Sequence, residues 1–474
     1  MLEIKLPREI NKSPLATETA LASLLQSGGL SSVYAKNYKG NLPAYSSLEI
    51  ASIEGIIHFY IRIQKKFRPI VESNFYAQYP GIEIIEADDY TKMIRYHHLS
   101  KDTEMWGVTY RTGGSWIPTD DTTGKPYGTK DEPYKMPADF LPIKTYVDYG
   151  LDKDPKEEFK IDPITPLLEL MGSIGKGEHF WYQVLVQDES VYKEKMPKFY
   201  VNKKTHTHLS LKDLADARKK QIRTASWKVK DAVDVSDFGV PTEIDSYKVI
   251  NGEYVRQYKK SVDKDGKVTE TPIKVLAKHL ETKAVAKKEM ELTPEEKDEI
   301  EMINKKVSKP LALVVLRLVY VTKKENFKGS HVASIITFPK PYSGLNKIVP
   351  SKLADPYDFP WENIGNKRVP WRKEEIFEEY VEREGFFPHI CERETLDKWE
   401  DTFFWASSMK QRKLFRMIYE AVFFPFDHPQ ADSAFTLNLE ELATLWHLPG
   451  AVAGTPTLPR IDSTKGIAPV NLPL

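Results

Sequence analysis

An α+β fold is predicted for this chain, laid out as two βαββαβ halves that large insertions interrupt. Three observations carry the prediction. LEIKL at residues 2–6 alternates apolar and charged positions, as a half-buried strand does. SLEIASI and IIHFYIRI then form a strand pair about a short turn at Glu54-Gly55. Far downstream, LALVVLRLVYV at 311–321 is an apolar run of strand length, broken only by Arg317.

The first half occupies residues 1–90. Ser13 before Pro14 opens a helix, since a proline at the first helical position needs no amide partner. Ala20, Leu21, Leu24 and Leu25 make its apolar stripe, and Gly28-Gly29 closes it. After the strand pair, Pro69 lies early in a second helix with Phe67, Ile70, Val71 and Phe75 on one face. Pro80-Gly81 stops that helix, and IEIIEA supplies the last strand. The order is the split βαβ, or ferredoxin-like, arrangement.

Residues 91–150 read as a strand-and-loop insertion rich in aromatics, Gly, Pro and Thr (TGGSWIPTDDTTGKPYG). The second ferredoxin-like half is expected over 151–346, led in by YVDYG as its candidate first strand. Asp162-Pro163 opens a helix with Leu167, Leu168, Met171 and Ile174 inward, and HFWYQVLVQ (179–187) is a strand. LALVVLRLVYV is its partner, an amphipathic segment around Val332, Ile335 and Ile336 follows, and FTL (435–437) is the expected final strand.

Two stretches interrupt this half. The charged segment at 190–306 holds an Asn-Gly turn in KVINGEYV and an Asp-Gly turn in VDKDGKVTE, both hairpin signals, between mixed-charge helices. Residues 347–434 form a helical, proline- and aromatic-rich insertion. FTLNLEELATLWHLPG (435–450) closes the core. Asn438 and Glu441 are spaced as a capping box, and Leu439, Leu442, Ala443 and Trp446 follow at helical intervals. Residues 451–474 read as a Pro-rich tail or linker.

At 474 residues the chain is too long for one ordinary core. Lys plus Arg equals Asp plus Glu at 68 each, so no global field selects a nucleic acid or a membrane surface. The single cysteine, Cys391, excludes an intramolecular disulfide framework and any multi-cysteine zinc site. No apolar run reaches the length of a membrane helix, and MLEIKLPREI lacks the pattern of a signal peptide. A cytoplasmic-type protein is expected, with a peripheral place at the inner membrane face left open.

No catalytic or cofactor-binding constellation is found, and no cofactor is expected. GSIGKGE (172–178) has two residues before Gly-Lys where a phosphate loop needs four, and Gly177 stands where its hydroxyl belongs, so it reads as a helix end leading into a strand. VDKDGKVTE is too short for a calcium loop. His97-His98 and His206/His208 have no carboxylate or cysteine at ligand spacing, so they read as loop histidines. No activating arrangement accompanies His389 and Cys391. Two basic stretches are candidate nucleic-acid contacts: Arg218, Lys219, Lys220 and Arg223, and Lys410, Arg412, Lys413 and Arg416. Solvated helix faces are the plainer reading of both.

LEIKLPRE, HFYIRIQKKFRPIVESNFYAQYPGIEIIEADDY and FTLNLEELATLWHLPG, with GSIGKGEHFWYQVLVQ between them, resemble the region preceding the motor domain in type IV secretion and conjugative-transfer ATPases of the HerA/FtsK superfamily. The resemblance implies a non-catalytic assembly and docking module of a DNA-transfer motor. The motor ATPase would then lie in a separate chain or in a longer native chain. A homo-oligomer and contacts with membrane components are also implied, while contact with DNA stays open. Trp361, Trp371, Phe386 and Phe387 are the candidate protein interface. No catalytic residue of the family carries over. The alternative is a nucleic-acid-binding protein that uses the two basic helices.

Overall fold

Strands and helices follow the sequence pattern through most of the computed structural model, which describes residues 1–7, 10, 12–25, 44–118, 136–153, 161–189, 210–232, 292–354, 368–386, 434–450 and 457–461, together with short strands between 243 and 276. The strands are β1 (Leu2–Pro7), β2 (Ser46–Ile53), β3 (Ile56–Arg62), β4 (Glu83–Glu86), β5 (Thr103–Thr112), β6 (Ser115–Trp116), β7 (Met136–Pro137) and β8 (Glu178–Asp188). In the charged segment lie β9 (Glu243–Asp245), β10 (Tyr247–Ile250), β11 (Glu253–Arg256), β12 (Tyr258–Val262), β13 (Val268–Pro272) and β14 (Lys274–Leu276). The remaining strands are β15 (Leu311–Lys323), β16 (Ile348–Leu353), β17 (Phe435–Asn438) and β18 (Arg460–Ile461). The helices are α1 (Pro14–Leu21), α2 (Arg68–Gln78), α3 (Thr165–Gly172), α4 (Leu211–Ala232), α5 (Pro294–Ser308), α6 (Gly329–Thr337), α7 (Arg368–Glu382) and α8 (Leu439–Leu445).

Ten strands make one sheet in the order β16-β5-β15-β8-β2-β3-β1-β18, with β4 also on β1 and β17 also on β15. Residues 1–90 contribute the neighbours β4, β1, β3 and β2, antiparallel throughout. The second set is β16, β5, β15 and β8, again antiparallel throughout. The two sets join at β2 and β8, which pair antiparallel from Ser46↔Val186 to Ile53↔His179.

The membership of the second set differs from expectation. YVDYG is a run of turns and not a strand: the Asp148 side chain accepts the Thr145 amide at 2.7 Å and Gly150 closes at positive φ. Its place is taken by β5, from the stretch read as an insertion. The last strand of that set is β16. FTL, in β17, instead pairs with Leu311–Val314 of β15, while β5 pairs with Leu316–Lys323 of the same strand. In α2, Val71 and Phe75 are buried as expected, but Ile70 is exposed and Phe67 only half-buried.

Both faces of the sheet are covered. Adjacent residues of a strand point to opposite faces, and β8 displays both environments. The Tyr182 hydroxyl donates to the Leu445 carbonyl of α8 at 2.9 Å, whereas the Trp181 ring stacks on Tyr380 of α7. On the first face, α1 contacts α2 and α8, and α3 contacts β2 and β3. The Trp446 ring meets Phe59 and Phe75 edge-on there.

The charged segment holds a compact unit of its own, Asp216–Glu301. Within it β10 pairs with β11 and β12 with β13, the two hairpins that the Asn-Gly and Asp-Gly signals predict. Arg218 holds Glu299 through two nitrogens at 2.9 and 3.2 Å.

α8 is buried on every residue, an unusual state for a helix with two glutamates. The capping box forms as predicted: Asn438 accepts from the Glu441 amide and Glu441 from the Asn438 amide, both at 2.8 Å. Glu440 accepts from Lys305 at 3.0 Å, Lys309 at 2.9 Å and the Thr145 hydroxyl at 2.6 Å. Just beyond the helix, His447 Nε2 lies 3.0 Å from the Asp162 carboxylate.

Burial pushes the His447 imidazole down, but the Asp162 charge and the α8 carbonyls outweigh it and hold the group above its ordinary value. Burial likewise raises the Asp162 carboxyl, and His447 more than reverses this. A raised histidine stabilises fully below its unfolded pKa and loses that share as pH rises through the folded one. A lowered aspartate stabilises fully above its unfolded pKa and loses its share as pH falls through the folded one. The pair therefore contributes in full between about pH 4 and 6.5. His447→Gln is expected to cost about 1–3 kcal/mol at pH 5.5 and measurably less at pH 9, as read by urea denaturation.

Candidate functional site beneath and beside helix α7

The second face of the sheet carries a polar row that seven strands build together. Pairing places Glu3 beside Tyr60, Tyr60 beside Glu49, Glu49 beside Gln183, Gln183 beside Arg317, Arg317 beside Thr109 and Thr109 beside Lys352. α7 lies across this row. Its apolar side, Ile376, Phe377 and Tyr380, is buried against the sheet, with Trp181 near both rings. Close approach is possible because β5 carries Gly107. A Cβ there would come within 2.7 Å of the Ile376 side chain.

Two ion networks hold α7 to the row. In the first, Arg383 just past the helix places Nε 2.7 Å and Nη2 3.1 Å from the two Glu49 oxygens. Its Nη1 and Nη2 also reach Asp89 at 2.9 and 3.0 Å. Tyr90 donates to Glu49 at 2.8 Å and shares a hydrogen bond with Tyr380 at 2.7 Å. Burial works to raise the Asp89 carboxyl, but hydrogen bonds and charge from Arg383 keep it below the usual carboxylate value. Burial dominates at Tyr90 and Tyr380 and drives both phenols well up, so they stay protonated donors.

In the second network, Arg317 donates to the Glu379 carbonyl at 3.0 Å, to the Glu379 carboxylate at 3.2 Å and to the Glu384 carbonyl. Lys352 completes it, 2.8 Å from Glu379 and 2.6 Å from Glu375. Burial lowers the Arg317 guanidinium and the surrounding acidic groups counter it. Thr109 Oγ1, Gln183 Oε1 and Arg317 Nε are buried with no hydrogen-bond partner among the described residues. The charged groups of the two networks pair with one another between the sheet and α7, an arrangement suited to fixing a helix and its register.

At the N-terminal half of α7 the network opens to solvent. The 94–102 loop brings His97 and His98 to Glu374, whose carboxylate receives the His98 Nδ1 and lies 3.4 Å from His97 Nε2. The His98 amide also donates to Glu374 at 3.3 Å. The imidazole rings stack with centroids 4.2 Å apart, and Trp371 packs edge-on to His98 at 5.6 Å. The sequence reading missed this cluster because its carboxylate lies 276 residues away from the histidines. Ligand spacing detects only local sets. The twin histidines were the one signal in the sequence.

Of the residues singled out from sequence, Arg218 and Lys219 are engaged by Glu299 and Asp216. Arg223 and Lys220 are both exposed on α4. Lys410, Arg412, Lys413 and Arg416 lie outside the described residues, as do Trp361, Phe387, His206, His208, His389 and Cys391. Trp371 is half-buried beside His98. Phe386 is a correction: it is 7% exposed, in a second core cluster with Leu313, Val315 and Leu185, because the chain turns inward after Arg383. It cannot serve as a free surface anchor. GSIGKGE is the expected helix end: α3 stops at Gly172 and β8 starts at Glu178.

No family model matches the chain, and comparison with curated proteins and with solved structures gives no match. Among the described residues, no helix is long and apolar enough to cross a membrane.

Proposed function

We propose that the chain is a non-catalytic assembly and docking platform of a conjugation or type IV secretion-type DNA-transfer motor. The observation that carries the reading is that resembling stretches from the two ends of the chain pack together. LEIKL (β1) pairs with HFYIRI (β3). Phe59 of that strand, Phe75 of α2 and Trp446 of FTLNLEELATLWHLPG meet ring to edge. Segments separated by hundreds of residues thus form one packed unit.

The ferredoxin-like description belongs to the same proposal. In chain order β1-α1-β2-β3-α2-β4 gives the sheet order β4-β1-β3-β2, and β5-α3-β8-β15-α6-β16 gives β16-β5-β15-β8. Two split βαβ units joined at their β2 and β8 edges make a long, stiff support. The proposed partners are a motor ATPase, further copies of this chain and membrane components. The nucleic-acid alternative is weakened where Arg218 and Lys219 already face carboxylates.

The test is co-expression with the protein of a neighbouring reading frame that carries GxxxxGK[ST]. Co-elution of the two and a raised rate of ATP hydrolysis are expected. Absence of such a motif both from neighbouring frames and from any longer native chain, or separate elution of the two proteins, would overturn the platform reading. DNA binding by the isolated chain that falls steeply with salt and is lost in Arg218→Glu with Arg223→Glu would install the alternative.

A further inference from the structure

We infer that His97, His98 and Glu374 form a binding site for a divalent transition-metal cation of the zinc type. The donor set is two imidazoles and one carboxylate, which suits a borderline-soft dication and disfavours the all-oxygen shell of magnesium or calcium. One ligand atom from each residue lies within 4.8 Å of the others. A tetrahedral ion with ligands at about 2.0–2.1 Å separates its donor atoms by about 3.3 Å. His97 Nε2 and Glu374 Oε1, at 3.4 Å, already stand at that separation. His98 Nδ1 and the carboxylate are closer, and only a small opening of that contact is needed.

The surroundings favour a cation as well. Glu374 is held in place before any ion arrives, since the His98 amide donates to it from the facing loop. On binding, the ion takes the place of the protons between the rings and the carboxylate. The His98 hydrogen moves to Nε2 and the His97 hydrogen to Nδ1, the latter at the expense of a contact from the Leu99 amide that is already 3.2 Å long. The fourth position faces solvent beside exposed His97 and takes water. An ion here ties the 94–102 loop to α7 and so fastens the helix that covers the polar row. This inference rests on neither the docking reading nor the resemblance.

The experiment is isothermal titration of the full chain with Zn²⁺, repeated with Co²⁺, whose visible absorption reports its ligand geometry. One ion per chain is expected, with Glu374→Gln and His97→Ala each weakening it more than about tenfold. His97 is exposed, so His97→Ala keeps the fold and leaves the test intact should Glu374→Gln not accumulate. His206→Ala with His208→Ala should leave the site unchanged. No binding by the unaltered chain, or affinity that survives both His97→Ala and Glu374→Gln, overturns the assignment.

Discussion

Arg383→Met is expected to destabilise the protein by on the order of 3–5 kcal/mol, read as a drop in the midpoint of chemical denaturation at pH 7. The Arg383 and Glu49 side chains are 1% and 0% exposed, so deleting the guanidinium leaves a carboxylate that water cannot reach. Tyr90, Ser47 and Gln183 still donate to Glu49, but none carries charge. The loss belongs to the stranded anion more than to the missing contacts. Glu49→Gln on the Arg383→Met background should therefore recover a large part of the stability, and a double variant no more stable than Arg383→Met would refute this account. The backbone supplies a second comparison. Arg383 sits at φ 59°, where a residue with a Cβ costs about 1–2 kcal/mol. Arg383→Gly should consequently be less harmful than Arg383→Ala, although both delete the charge.

The sequence disclosed elements whose signal is local and left out those whose signal is not. β1 alternates because one of its faces is only partly covered, and the α8 capping box is written within four residues. β5 escaped notice because Met105 to Tyr110 are buried on both faces of an interior strand, so no polar alternation remains to be read. Only its Trp, Val, Thr and Tyr content marked it as a strand. The polar row misled in the opposite sense. Glu49 within SLEIASI and Arg317 within LALVVLRLVYV look like outward-facing residues or interruptions, yet each is buried against a partner on α7 or just past it. Those partners come from 334 and 62 residues away. Periodicity reports which residues share a face; it does not report whether a distant helix covers that face.

Glu441→Leu should cost on the order of 5 kcal/mol, the sum of a stranded cation and two stranded amides. Lys306 and Glu441 have side chains that are both 0% exposed and stand 3.1 Å apart. Glu441 also takes the Asn438 amide at 2.8 Å, closing the cap, and the Ile143 amide at 2.8 Å. Burial pushes its carboxyl up against the pull of Lys306 and these amides, so ionisation of Glu441 is itself opposed by the fold. A raised acid confers its stabilising share below the unfolded pKa and loses it as pH rises through the folded one. Glu441→Gln, which cannot ionise, should remove this slope from the pH–stability curve while retaining an acceptor for the amides. Without Glu441, the Lys306 ammonium keeps only the Leu141 carbonyl, at 3.2 Å, among the described residues. Lys306→Met added to Glu441→Leu removes that buried charge, and the double variant is expected to exceed Glu441→Leu in stability. If it does not, the cost lies in the cap and the Ile143 amide, and α8 is held by hydrogen bonds and not by charge.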